Sequence, residues 1–378
     1  IDRNYKFQVC ENCIMDTTAE NIVFDQNGIC NFCKDFKKRQ ISLANNKKKL
    51  DELVNVIKMD GKNKKYDCII GVSGGVDSSF ALIKACDLGL RPLAVHLDNG
   101  WNSELAQNNI SKLIRKCGID LYTHVINWKE YRNLQQAFFD ADVIDTELLM
   151  DNAMLAINYK MANKYKIKYI LSGTNTATEG FSIPTNWSWF KNDAKNIRLI
   201  TKKFSKQKIK TFPLFGTIDF IYFEIIKKIQ WVLFPDYFNY SKEEAINLLK
   251  NRIDYRPYPY KHYESIFTRF YQAYILPKKF GIDKRKLHLS NLIISKEISR
   301  ENALKILQQP TYPTIEEEKK DIKYFKKKMK WTDNDLEKYL SKKEKNHSIY
   351  GTEKYLWEKL KNIYKSSYVL KFLMKKYK

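Results

Sequence analysis

The chain lacks any run of about 18 uncharged apolar residues, the length that a bilayer-spanning helix requires. Its greasiest stretch, Phe212 to Phe238, is broken by Asp219, Glu224, Lys227 and Lys228, so no membrane span is expected. The opening Ile1-Asp2-Arg3-Asn4-Tyr5 has no apolar centre of a secretory leader, and it starts on Ile, as a trimmed chain would. Seven cysteines, an odd number in 378 residues, do not make a disulfide framework, and a reducing cytoplasm is the expected compartment. Internal repeats are absent. Acids are scarce against bases: 43 Asp plus Glu face 67 Lys plus Arg, a formal +24. Such a field attracts polyanions, whether nucleic acid, anionic membrane or phosphorylated small molecules. Yet Lys, Asn, Ile and Tyr are abundant throughout, as AT-rich coding would give, and the bases peak at 319–330 and 375–378, away from the motifs below. Charge alone therefore assigns no partner. What the chain does have, 44% hydrophobic and 14% aromatic residues, fills cores and excludes wholesale disorder. The length suggests about two or three domains.

Residues 1 to about 40 read as a module of their own. Cys10-Glu11-Asn12-Cys13 and Cys30-Asn31-Phe32-Cys33 are two CxxC pairs separated by sixteen residues, the spacing of a four-thiolate Zn²⁺ site. The stretch between them predicts a short hairpin turning at Asp25-Gln26-Asn27-Gly28. So short a module cannot fold on apolar burial alone, and the metal supplies the missing free energy. A closed shell of Cys10, Cys13, Cys30 and Cys33 has a structural role.

Residues 41 to 65 predict an amphipathic connecting helix through Leu50, Leu53, Val54 and Ile57. Strands follow at 66–72, 93–98, 121–126 and 168–173, each separated from the next by helical periodicity, including helices over 128–139 and 147–165. This alternation calls for an α/β fold: a parallel sheet with helices on both faces. After about residue 200 aromatic and basic residues dominate and no strand is placed. N-caps at Ser241 and Ser299 open helices there. The expected organisation is a zinc-ribbon module at 1–40, the α/β domain at 41–200, and a mainly helical, Lys-rich substrate or partner region at 201–378.

Between the first strand and its helix lies Ser73-Gly74-Gly75-Val76-Asp77-Ser78-Ser79. A glycine-rich turn at such a junction lets backbone N–H groups wrap an anion, helped by the helix dipole. Ser73 and Ser78 offer hydroxyls, Gly74 and Gly75 allow close approach, and Val76 adds a first-turn amide. Asp77 brings a negative charge that suits a phosphate site through Mg²⁺. The motif is neither GxxxxGK[ST] nor GxGxxG. It resembles the SGGxDS loop of the PP-loop ATP pyrophosphatases, with a sheet of the adenine nucleotide alpha hydrolase type. That resemblance implies ATP cleaved between the α and β phosphates, with Asp77 and Ser73 at the reacting phosphates. It also implies adenosine near the end of the second strand, at His96, Asp98 and Asn99. Gly173, Thr174, Asn175 and Glu179 in Ser172–Glu179 are then expected to close over the α-phosphate and the acceptor. Asp151, opening a helix towards this edge, is a candidate to hold metal or polarise a nucleophile.

Taken together, CENC…CNFC, SGGVDSS, HLDNGW, LSGTNTATEG, Lys261–Phe270 (KHYESIFTRF) and Phe280–Arg285 (FGIDKR) resemble the N-acetyl sugar amidotransferases of the WbpG and PseA type. The resemblance runs from about 5 to 310, with Tyr263 where a small residue is more familiar. It implies conversion of a sugar acetamido group to an acetamidino group through an O-adenylyl imidate, releasing AMP and pyrophosphate, in lipopolysaccharide or flagellin glycan biosynthesis. Such an acceptor is an anionic N-acetylated sugar, for which His262, Arg269, Lys284 and Arg285 offer positive charge. No glutaminase nucleophile is evident in the sequence, so ammonia is expected from a separate glutaminase partner or as free ammonium. The rival reading is a tRNA-modifying PP-loop enzyme of the lysidine or thiolation type. Cys68 and Cys86 fall inside a strand and a helix and Cys117 at a helix end, which weighs against sulfur transfer, and nucleic acid is not the expected partner.

Overall fold

The computed structural model describes residues 7–258 and 263–366. Its centre is a five-stranded sheet in the order β3-β2-β1-β4-β5, every pair parallel. The strands are β1 (Cys68–Gly71), β2 (Pro92–Asp98), β3 (Leu121–Val125), β4 (Tyr169–Ser172) and β5 (Gln230–Leu233). The apolar runs Cys68-Ile69-Ile70 and Tyr169-Ile170-Leu171 are buried, as parallel strands covered on both faces must be. β3, at one edge, leaves Val125 exposed.

The four strands expected from the sequence are present, and β5 lies in the region where none was placed. Its four residues alternate too briefly to stand out, and it is a strand because its backbone finds β4.

α1 (Asn31–Lys47) and α2 (Leu50–Gly61) lead into β1, and crossovers run through α3 (Val76–Asp87), α4 (Glu104–Cys117), α5 (Trp128–Asp140) and α6 (Leu148–Lys164). α4 shows why such segments become helices: Ser103 caps it by accepting from the Ala106 N–H, and Gly118 ends it at φ +62°. Next come α7 (Thr176–Glu179), α8 (Ala194–Phe204) and α9 (Thr217–Phe220), which continues through a π turn over Ile221–Ile226. α10 (Lys242–Ile253) starts at Ser241, as expected, and packs with α3 and α4 on one face of the sheet. α6, Phe215 and Phe223 cover the other face.

The remaining helices are α11 (Ile266–Phe270), α12 (Leu276–Phe280), α13 (Arg285–Ile294), α14 (Arg300–Gln308, capped by Ser299), α15 (Ile315–Met329), α16 (Asp333–Ser341) and α17 (Lys354–Ser366). α11 to α13, α15 and α16 join α5 in a core around Phe139, Phe267, Phe270 and Phe325. No helix among the described residues is long and apolar enough to cross a membrane.

The cysteine module folds back onto this C-terminal region. Ile14 packs with Leu289 and Ala303, and Arg300 donates hydrogen bonds of 3.0 Å to both the Cys10 and the Cys13 carbonyl. Phe32 and Phe36 of α1 meet Phe181.

Candidate active site

In a sheet ordered this way the chain runs outward from β1 to β2 and β3, then crosses back to β4 on the other side of β1, and the crevice between β1 and β4 opens at their carboxyl ends. The loops after β1 and β4 flank that crevice. Gly75 caps α3, so the amides of its first turn face the loop. Gly74 sits at φ +81°, and a Cβ there would lie 2.6 Å from the Ala106 carbonyl oxygen, so both backbone strain and crowding require glycine. Across the crevice, a Cβ on Gly173 would lie 2.6 Å from the backbone of Ser78. The two loops are thus pressed together, backbone to backbone. Ser79 donates to the Gly75 carbonyl at 2.8 Å, and the Gly75 N–H donates to Ser73 Oγ at 3.3 Å, which curls the turn.

Asp77 accepts from Asn175 Nδ2 at 3.1 Å and from the Tyr240 hydroxyl. Burial, then the fields of Asp77, Glu297 and Glu179, push the Tyr240 hydroxyl well above its usual range. Tyr255 and Tyr258 both donate to the Gly74 carbonyl at 3.0 Å. Behind the β4 loop, Asp236 accepts from the Thr176 N–H and hydroxyl, each at 2.7 Å. Glu264 closes the mouth: its Oε1 would lie 3.9 Å from a Cβ on Gly75. Of these supporting residues Glu264 falls in the KHYESIFTRF block, while Asp236, Tyr240, Tyr255 and Tyr258 carry no motif.

At the end of β2, His96 and Asp98 line a cavity of about 450 Å³ with Gln107, Ser111 and Arg115 of α4 and Leu121 and Thr123 of β3. His96 is nonetheless a satisfied core histidine: Nδ1 donates to the Val72 carbonyl at 2.8 Å and Nε2 accepts from Asn102 at 3.1 Å. Asn99 does not line the cavity; it is buried and its Oδ1 accepts from the Trp101 N–H. Lys328, another residue the sequence reading missed, reaches the Gly100 carbonyl from α15. It stands 4.1 Å from the Trp128 ring centroid, and burial lowers its pKa.

The remaining expected residues divide. Asp151 faces the carboxyl edge from the first turn of α6, where Lys191 bridges it at 2.8 Å to buried Asp145 at 2.6 Å. Lys284 joins the same neighbourhood, paired with buried Glu147 at 3.0 Å. The expectation that Lys284, Arg269 and Arg285 hold substrate charge meets a physical obstacle, since acids of the chain already engage all three. Arg269 forms a two-pronged pair with Asp321, which is 2% exposed, and lies 4.3 Å from the Tyr263 centroid. Arg285 is bound to Asp283 and to the carbonyls of Leu307, Gln309 and Pro310, capping the end of α14. Thr174 is exposed at the β4 loop, and Glu179 is exposed at the end of α7. His262 lies outside the described residues, as does Tyr260.

The four cysteines converge. Their Sγ atoms all lie within 4.8 Å of one another, with separations of 3.6, 3.7 and 3.8 Å for Cys30–Cys33, Cys13–Cys30 and Cys10–Cys33. A tetrahedron with Zn–S bonds of about 2.3 Å has edges of about 3.8 Å. The cage therefore fits zinc, and backbone N–H groups of Met15 and Cys30 point at its sulfurs.

Residues 48–212 match the NAD synthase family, and residues 264–364 match the C-terminal domain of the WbpG-like lipopolysaccharide-biosynthesis proteins. The chain thus carries a WbpG-like C-terminal domain behind an NAD synthase-like one. No curated protein matches it. Among solved structures it is similar to NMN synthetase from Francisella tularensis, at 19% identity over 55% of this chain and 93% of that one, with a TM-score of 0.29. It is similar also to NH3-dependent NAD synthetase from Campylobacter jejuni, at 14% identity over 55% and 93%, with a TM-score of 0.28. A third, described as a predicted subunit of tRNA methyltransferase from Methanocaldococcus jannaschii, shares 12% identity over 48% and 73%, with a TM-score of 0.28.

Proposed function

We propose that the protein converts the acetamido group of an anionic N-acetylated sugar into an acetamidino group, using ATP and ammonia. One observation carries the reading. The WbpG-like segment begins at the phosphate loop's own mouth: Ser265 bridges to Asn102, and the Ser103 N–H donates to the Glu264 carbonyl at 2.9 Å. This family-specific segment would supply a wall of the nucleotide crevice, where an acceptor must meet the α-phosphate.

The crevice suits ATP in two respects, a glycine cradle that a Cβ would fill and a cavity beside His96 and Asp98 for the nucleoside. Ser73, the first-turn amides of Val76, Asp77 and Ser78, and the Gly173–Thr174 turn would hold the phosphates. Asp77 and Glu179 would face Mg²⁺, whose role is to neutralise the phosphate charge. The acetamido oxygen attacks the α-phosphorus and pyrophosphate leaves; ammonia then adds to the imidate carbon and AMP departs with that oxygen. The chain's contribution is positioning and fixed charge. Asp151, in the Lys191 network at the same edge, is the candidate to receive the proton that ammonia loses. A glutaminase partner is the proposed ammonia source, and the cytoplasm the proposed compartment.

Mass spectrometry of reactions with ATP, Mg²⁺, ammonium and di-N-acetylated sugars tests this reading. Replacing the amide oxygen by NH lowers product mass by about 1 Da and adds a base with a pKa close to that of Arg. An ATP-dependent amidine is the expected product. Its absence across both nucleotide-linked uronic acids and nonulosonic acids, or AMP release stimulated by tRNA instead, would overturn the proposal.

A further inference from the structure

The segment running from α9 through its π turn to β5 carries an apolar face that the body does not cover. Ile218 is 76% exposed, Ile225 47% and Ile226 63%, with Tyr222 beside them at 39%, while Phe223 turns inward at 7%. α17 extends this face. Its Tyr355 and Leu356 are 71% and 47% exposed, and it is fastened here by Trp357, whose ring centroid lies 4.5 Å from that of Phe220. Glu353, just ahead of α17, accepts from the Thr217 N–H at 2.6 Å. Large apolar side chains gathered on one surface mark a site of contact rather than chance exposure.

The surroundings indicate what makes the contact. Lys227 and Lys228 are exposed where the π turn ends, and Lys359 is exposed on α17, which also carries the exposed acid Glu358. The acids nearest the isoleucines are engaged inward: Glu224 by Tyr159 and Asp219 by the Gly216 N–H. The sequence past Ser366 continues the mixture, with Val369, Leu370, Phe372, Leu373 and Met374 among Lys371, Lys375, Lys376 and Lys378, and no acid. A second copy would bring the same positive charge to the contact, in a chain of formal charge +24. An anionic lipid surface offers the complement to both halves of the pattern: headgroup charge for the lysines and an acyl boundary for the isoleucines.

We propose that this face docks the protein onto an anionic membrane surface, lying on it rather than crossing it. Ile229 leads directly into β5, so Lys227 and Lys228 sit at the amino edge of the sheet, opposite the phosphate loop. The inference does not depend on which sugar the protein modifies.

Vesicle flotation of the full chain tests it. Binding is expected to phosphatidylcholine vesicles containing phosphatidylglycerol, and not to phosphatidylcholine alone. Replacing Ile225, Ile226 and Leu356 together by Ser, which leaves the charge unchanged, should weaken binding about tenfold or more. Melting temperature and zinc content should stay as in the parent, because these side chains are exposed. Three outcomes overturn the proposal: no flotation of the parent, equal flotation of the Ser variant (bulk charge alone), or a concentration-dependent dimer that the Ser variant abolishes without any vesicle binding.

Discussion

The Tyr240 hydroxyl donates a hydrogen bond to Asp77 across 163 residues of sequence, joining the segment before α10 to the first turn of α3. Asn175 reaches the same oxygen from the β4 loop, so the acid expected to face metal is aimed from two sides. Tyr240→Phe should lower ATP-dependent turnover about tenfold, or ~1.4 kcal/mol, and raise the Mg²⁺ needed for half-maximal rate. Asp77→Ala should abolish AMP and pyrophosphate release. A Phe variant with an unchanged Mg²⁺ profile and only a lower melting temperature would reduce Tyr240 to a packing residue.

Gly173→Ala places a methyl group against the backbone of Ser78, where neither partner is a flexible side chain. The expected cost is about 1–3 kcal/mol, with the phosphate loop displaced. Nucleotide binding followed by calorimetry should be lost in the variant. Retention of parent affinity would show that the two loops part easily.

The zinc cage predicts one metal ion per chain, measurable by elemental analysis. Cys13→Ser should lose it and the module's stability with it. Arg300→Ala should leave the metal in place but loosen the module, since the guanidinium holds the Cys10 and Cys13 carbonyls. Alkylation of the thiols would then quicken without zinc loss in the resting protein.

His347 supplies a pH signature. It is 1% exposed, with Nε2 accepting from the Asp145 N–H and Nδ1 donating to Asn196, the neutral form. Burial, opposed in part by Asp145, lowers its pKa from 6.5 to about 3. The unfolded chain therefore binds a proton that the folded chain refuses between those values. Stability is full above pH 6.5 and falls as pH drops towards 3, by up to ~1.4 kcal/mol per unit. Melting temperature against pH should show this slope, and His347→Gln, less stable at neutral pH, should flatten it. Parallel curves would remove His347 as the cause.

The sequence made the chemistry-bearing loops legible because their requirements are local. CxxC spacing, the Gly74–Gly75 turn and the strand–helix alternation each depend on residues a few positions apart. What it did not reveal depends on distant partners. Arg269 and Arg285 looked like free cations in a basic stretch, and only the folded chain puts Asp321 against one and the end of α14 around the other. His96, expected near adenosine, has both its ring nitrogens taken by Val72 and Asn102. Tyr240, Tyr255 and Asp236 carry no pattern of their own, and their meaning lies in what they meet.

The late entry of β5 bears on how the protein comes off the ribosome. The NAD synthase-like span ends at residue 212, before β5, Asp236 and the three tyrosines that grip the phosphate loop have been made. A nascent chain of that length has its glycine turn but not the clasp around it, and the cysteine module still awaits Arg300, 290 residues beyond Cys10. The order of synthesis thus delays a finished nucleotide crevice until the chain has been made through Tyr258. Released early, the chain would carry an unpaired β4 edge, the kind of surface on which partly folded proteins aggregate.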